Sequence, residues 1–243
     1  MSQLSEPPSQ APALRRPGLL RFSAVELLIA LGLLFFTSPF VEGLKNGDLV
    51  EAVLMTVVLV LSVLAVGGNR RTLILALLLV IPAVVGKWGN HLRPNLVPSE
   101  VFLIADLVFL VFVVVNLLRF ILRAPRVNAE VLCAGISGYL LLGMLWAITY
   151  MLVARLVPNA FAFSVGPASR QSMDGFTAFY FSFATLTTIG YGDISPIANV
   201  ARMLAVMEAV TGVFYITVLI SRLVALYSSN PPPRGSAPTP NPP

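Results

Sequence analysis

The chain has 243 residues, 57% of them hydrophobic and 11% charged, with a formal net charge of +5. A soluble domain carries about 25% charged residues and needs that polar surface to cover its core. The composition therefore excludes a water-soluble enzyme, a nucleic-acid binder and a disordered regulator, and it leaves the lipid bilayer as the solvent. Cys133 stands alone, so an internal disulfide is excluded and no Cys/His metal cluster is expected.

A membrane span needs about 20 mostly apolar residues. Residues 1–18 are rich in Pro, Ser and Gln and read as a disordered N-terminal tail. The first span is expected at about 19–41. No cleavage site follows it, and Pro39-Phe40-Val41-Glu42 reads as a helix end, so a signal peptide is the poorer reading. A second span at about 49–66 closes on Gly67-Gly68-Asn69. The third, about 72–86, contains Pro82 and is expected to stop at Gly86, ahead of a polar loop from Lys87 to Ser99. The fourth, about 100–122, leads into a basic link with Arg119, Arg123, Pro125 and Arg126. The fifth and sixth fall at about 129–156 and 197–227. Residues 228–243 read as a Pro-rich disordered tail with no sign of a cytoplasmic ligand-binding domain. The expected class is an all-α integral membrane protein with six transmembrane helices. Residues 19–127 would form a four-helix unit and residues 128–227 a second unit.

Lysine and arginine near the span ends set orientation. With both termini cytoplasmic, the inner side holds ten of these residues, including Arg70, Arg71, Arg119, Arg123, Arg126 and Arg222, against six outside. That bias places residues 157–196 outside the cell membrane.

This last stretch is not a span. Residues 174–186 are apolar and aromatic, too short to cross a bilayer and long enough for a re-entrant half-helix, with Asp174 at its N-terminal end. The helix must then break at Thr188-Ile189-Gly190-Tyr191-Gly192, where two glycines permit left-handed backbone angles. Extended backbone at membrane depth leaves carbonyls unpaired, which is tolerated only where they line a cavity. A ring of such carbonyls can replace the hydration shell of a monovalent cation. That chemistry asks for small residues facing the ion and a bulky anchor behind the strand, a role that suits Tyr191.

Thr185-Leu186-Thr187-Thr188-Ile189-Gly190-Tyr191-Gly192-Asp193, followed by Pro196, resembles the selectivity-filter signature of potassium channels. The resemblance extends over roughly residues 129–227, with Arg202 and Gly212 where small bacterial channels carry an arginine and the hinge glycine of the inner helix. It implies four stacked K+ sites made by the carbonyls of Thr188, Ile189, Gly190 and Tyr191 and by the Thr188 hydroxyl, with Gly192 completing the filter and Thr187, Asp193 and Tyr180 supporting it. Relatives often place a Glu where Ala184 stands and a Trp pair where Tyr180 and Phe181 stand. Without that Glu, Asp193 needs another partner, and Tyr180 is the candidate.

One filter motif per chain is one quarter of a pore, so a homotetramer is expected, with K+ as the permeant ion and no cofactor. Residues 101–118 contain no Lys or Arg, unlike a voltage sensor, so steep voltage gating is not expected. If Gly212 is a hinge, Val213, Ile216 and Ile220 would line the cavity; a close helix contact is its other reading. Three acids fall within spans. Glu208 is a candidate pore-modulating acid or a brace for the pore helix, while Glu26 and Asp106 are expected to have internal packing partners. The sequence thus points to a potassium-selective channel. The rivals are a weakly selective cation channel, a voltage-gated channel with an atypical sensor, a non-conducting channel-like scaffold and a secondary transporter.

Overall fold

The structure, a computed structural model, describes residues 24–41, 47–66, 70–92, 98–126, 128–164 and 171–228. The expected tail at 1–18, all but the first residue of the one at 228–243, and the orienting residues Arg15, Arg16, Arg21 and Arg234 lie outside these. The protein is mostly helical. In chain order it forms α1 (Ala24–Val41), α2 (Gly47–Val66), α3 (Arg70–Leu92), α4 (Ser99–Arg123) and α5 (Ala129–Leu156). These are followed by β1 (Phe161–Phe163), α6 (Gly175–Leu186), β2 (Ile194–Pro196) and α7 (Asn199–Ser228).

Among the described residues, three helices, α4, α5 and α7, are long and apolar enough to cross a membrane. α1, α2 and α3 carry shorter apolar stretches, Ala24–Phe40, Ala52–Ala65 and Thr72–Val85. The expected stop at Gly86 is corrected: α3 runs through Pro82 and Gly86 to Leu92. One glycine costs a helix about 1 kcal/mol relative to alanine, too little to end it. α4 ends where Pro125 forces Ala124 out of the helical region, to φ −61° and ψ 128°. Three residues on, the Asn128 side chain accepts from the Val131 amide at 2.9 Å and caps α5.

α1 to α4 pack in sequence order, each on the next, and α1 and α4 both pack on α5. Their shared core holds Leu27, Leu31 and Leu34 from α1, Val58 from α2 and Phe109, Leu110 and Val113 from α4. α5 is the central element, with 67% of its apolar window buried; the figure for α7 is 17%. Met203, Val206, Val213 and Phe214 therefore stand exposed along α7. In the bilayer such a surface is covered by lipid or by another helix.

The sequence gives no sign of β structure, yet β1 and β2 pair antiparallel, Phe161 with Pro196 and Phe163 with Ile194. The Ser164 amide donates to Asp193 O at 2.8 Å, and the Ile197 amide to Ala160 O at 2.8 Å. This ribbon ties the chain after α5 to the chain before α7.

Candidate functional site

α6 carries the site. Asp174 stands at its N-cap in extended conformation, but its carboxylate caps nothing: Oδ1 accepts from Ser172 Oγ at 2.8 Å. Instead, its backbone carbonyl receives the Thr177 amide at 3.0 Å. At the other end, the Thr188 amide donates to Thr185 O at 2.9 Å. The amides of Ile189 and Gly190 both converge on Ala184 O, at 2.9 and 3.1 Å, so the chain doubles back along the end of α6. The Thr187 hydroxyl is used within the helix, donating to Phe183 O.

Backbone φ is positive at Thr188 (60°), Gly190 (56°) and Gly192 (82°) and at neither intervening residue. Glycine adopts this region freely; a β-branched threonine does so at a cost of about 1–3 kcal/mol, held by its surroundings. Residues Thr187 to Gly192 are all exposed in the single chain.

Tyr180, Tyr191 and Asp193 come together. Tyr180 Oη donates to Asp193 Oδ2 at 2.9 Å, and the Ile194 amide donates to Oδ1 at 3.1 Å. The rings of Tyr180 and Tyr191 stack at 6.0 Å with 6° between planes. Arg202 Nε donates to Pro196 O at 3.2 Å, fixing the start of α7 to the end of β2.

A second polar cluster lies in the core behind α6. Glu208 is fully buried, and Tyr150 Oη donates to its Oε2 at 2.6 Å. Ser182 Oγ lies 2.5 Å from Oε1 and donates to Gly143 O at 2.8 Å. A hydroxyl has one hydrogen and a carbonyl has none to give, so both Ser182 contacts are satisfied when the acid carries the proton. Of the two readings of Glu208, the bracing one matches this geometry, since the carboxyl joins α5, α6 and α7. Tyr150, Ser182 and Gly143 were not legible as site residues, because their pairings lie 26 to 58 residues apart. The serine inside the aromatic run Phe179-Tyr180-Phe181-Ser182-Phe183 was the available signal.

Gly212 is buried, and α7 runs unbroken through it. A Cβ there would stand 2.4 Å from Leu186 O and 2.9 Å from its Cδ1. The glycine therefore lets α7 approach the last turn of α6, the close-contact reading. Gly212→Ala should force the helices apart and cost about 1–3 kcal/mol, read as a lower melting temperature of the purified protein in detergent. An unchanged melting temperature would contradict this packing.

Val213, Ile216 and Ile220 are exposed on α7. Asp106 is half-buried and lines a cavity of about 90 Å³ with Leu34, Met55, Met144 and Phe179. Glu26 corrects expectation: it is exposed, because it shares the outward face of α1 with Ile29, Leu33 and Phe36. Phe35, on the inward side, meets the rings of Phe179 and Phe183 edge-on at 4.5 and 5.0 Å, so α1 touches α6 directly.

A sequence profile of the family described as "Ion channel" matches residues 139–229. The chain is 42% identical over 48 residues to "Two-pore potassium channel 4" of Arabidopsis thaliana, covering 20% of this chain and 17% of that protein. It is 38% identical over 50 residues to "Calcium-gated potassium channel TvoK" of Thermoplasma volcanium, covering 21% of this chain and 14% of that one. Both relatives are thus matched over less than a fifth of their length. "Protein LctB" of Bacillus caldotenax is 30% identical over 100 residues, 41% of this chain and 74% of that protein. No solved structure gives a significant match.

Proposed function

Because the chain belongs to the potassium channel family, an ion-transport family of the membrane, we propose that it is the subunit of a passive K+-selective channel with residues 188–192 as its filter. The observation that carries this reading is the alternation of φ at Thr188, Gly190 and Gly192. In an ordinary strand successive carbonyls point to opposite sides. Reversing the sign of φ at every second residue brings them to one side, as a line of cation ligands requires. The carbonyls of Thr188, Ile189, Gly190 and Tyr191 and the Thr188 hydroxyl would hold K+. Tyr180, through Asp193 and Tyr191, would fix the outer end, and Thr187 the inner one.

In this reading α6 is a re-entrant pore helix whose negative end favours a cation. α1 to α5 and α7 are the six spans, with residues 19–127 one unit and 128–227 the pore unit. Four chains complete the ring. The exposed Ile189 (57%) and Tyr191 (67%) support this, since carbonyl ligands work only when closed around an axis, and so does the bare apolar surface of α7. Val213 and Ile216 would then face the cavity. The charge bias of the loops supports cytoplasmic termini in a plasma membrane.

K+ is the permeant ion, and the reading needs no other cofactor. Tyr191 and Gly192, which weakly selective cation channels usually lose, favour selectivity. The absence of Lys and Arg from residues 101–118 speaks against a steep voltage response. Liposomes loaded with the purified chain should take up Rb+ or K+ in a Ba2+-sensitive manner, with Na+ largely excluded. Equal Na+ and K+ uptake would establish a non-selective pore, and no uptake would favour the scaffold.

A further inference from the structure

A cavity of about 90 Å³ lies at the end of the bundle where α6 begins, between its first turns and α1, α2, α4 and α5. Met55 of α2, Met144 and Met151 of α5 and Phe179 of α6 form much of its wall. Asp106 of α4 is the one charged residue among the described residues that line it, and Ser38 of α1 adds a hydroxyl. Asp106 stands within the apolar helix Glu100–Arg123, is half-buried, and has an interaction within the chain. Its carboxylate has two oxygens with about four acceptor positions, so an internal partner leaves others able to receive an N–H.

We infer that this cavity is a binding site for a small protonated alkyl amine, with the ammonium group on Asp106 and the alkyl chain among the methionines. An acid within an apolar bundle is costly to keep, and it marks an ion route or the counter-ion of a ligand. Thr188–Gly192 follow the opposite end of α6, so Asp106 is no part of the filter. The walls decide the rest of the ligand. A hard metal ion takes six or more oxygens, whereas the polar side chains here are one carboxylate and one hydroxyl. A cation that carries its own apolar body suits such walls. Thioether side chains are flexible and polarizable and mould to an alkyl chain, and an aromatic ring attracts a cation. An apolar cavity of about 150 Å³ holds benzene, so one of about 90 Å³ suits a chain of roughly four carbons. An occupant would touch all five helices and join the four-helix unit to α6. The binding stands independently of conduction; only a consequence for conduction would rest on the channel reading.

The test is the melting temperature of the full chain in neutral detergent, titrated with n-butylammonium chloride at neutral pH, constant KCl and constant ionic strength. A ligand that binds only the folded state raises this temperature according to its concentration relative to Kd. Butylammonium should raise it, and 1-butanol, the uncharged analogue, should do so far less. Asp106→Asn should increase the concentration needed for a given rise about tenfold, the worth of a hydrogen bond to a charged group. Ser38→Leu keeps the acid but fills the cavity and should weaken binding by a similar factor, so it carries the test should the Asp106 variant fail to fold. Glu26→Gln, at the far end of α1 and exposed, should leave the response unchanged. No rise in the parent, or an equal rise with butanol, would overturn the assignment. A full response in the Asp106 and Ser38 variants would place the amine elsewhere, the pore axis included. Equal losses in the Glu26 and Asp106 variants would reduce the site to diffuse charge.

Discussion

Gly190→Ala is expected to abolish K+ flux while leaving the protein folded. Nothing lies within 4 Å of a Cβ built at Gly190, so the methyl group meets no clash within the chain. The cost is conformational: φ is 56°, and an L-residue pays about 1–2 kcal/mol there. Against a total stability of about 5–15 kcal/mol that is survivable. In the proposed tetramer, relaxing the strain would turn the peptide and take a carbonyl away from the axis in all four subunits together. Flux in liposomes should fall to background while size-exclusion and melting profiles stay close to those of the parent. A variant that conducts normally would place the conduction path elsewhere.

The second large effect is on the fold. Glu208→Ala removes the group that Tyr150 and Ser182 share, in a region with no bulk water. Ser182 keeps its bond to Gly143 O, but the buried Tyr150 hydroxyl left without its partner costs about 1–3 kcal/mol, and the emptied volume adds to this. We expect a loss of about 3 kcal/mol or more, seen as a marked drop in melting temperature in detergent. Glu208→Gln should retain most of the stability. An amide offers an N–H toward Ser182 and a carbonyl toward Tyr150, the same donor and acceptor pattern as a protonated acid. If the alanine variant were as stable as the parent, the carboxyl would not be bracing α6. If glutamine were as damaging as alanine, the negative charge itself would be required.

These two residues mark how far the chain could be read unaided. The span over Glu100–Arg123, the half-helix over Gly175–Leu186 and the break at Thr188–Gly192 follow from hydropathy, length and two glycines, all of them local signals. Tyr180 could be named as the partner of Asp193 because it lies 13 residues away, across a single turn of the chain. The environment of Glu208 was not readable, because Tyr150 is 58 residues distant and packing alone decides which faces meet. The contact of Gly212 with Leu186 O joins residues 26 positions apart, and packing alone brings them together. α3 outran its expected end because a single glycine weakens a helix without terminating it. β1 escaped notice because three residues are too few to show an alternating pattern.

The short ribbon between β1 and β2 has a bearing on how this region can vary. Its bonds, from the Ser164 amide to Asp193 O and from the Ile197 and Ala198 amides to Ala160 O, are made by the main chain. Exchanging one side chain for another leaves them intact, so the mouth of the site can drift in sequence while keeping its shape. What it does not accept is an imino acid at 164, 197 or 198, where proline would delete the donor itself. The polar decoration around the mouth is therefore free to be tuned to whatever approaches from outside, and the geometry beneath it is not.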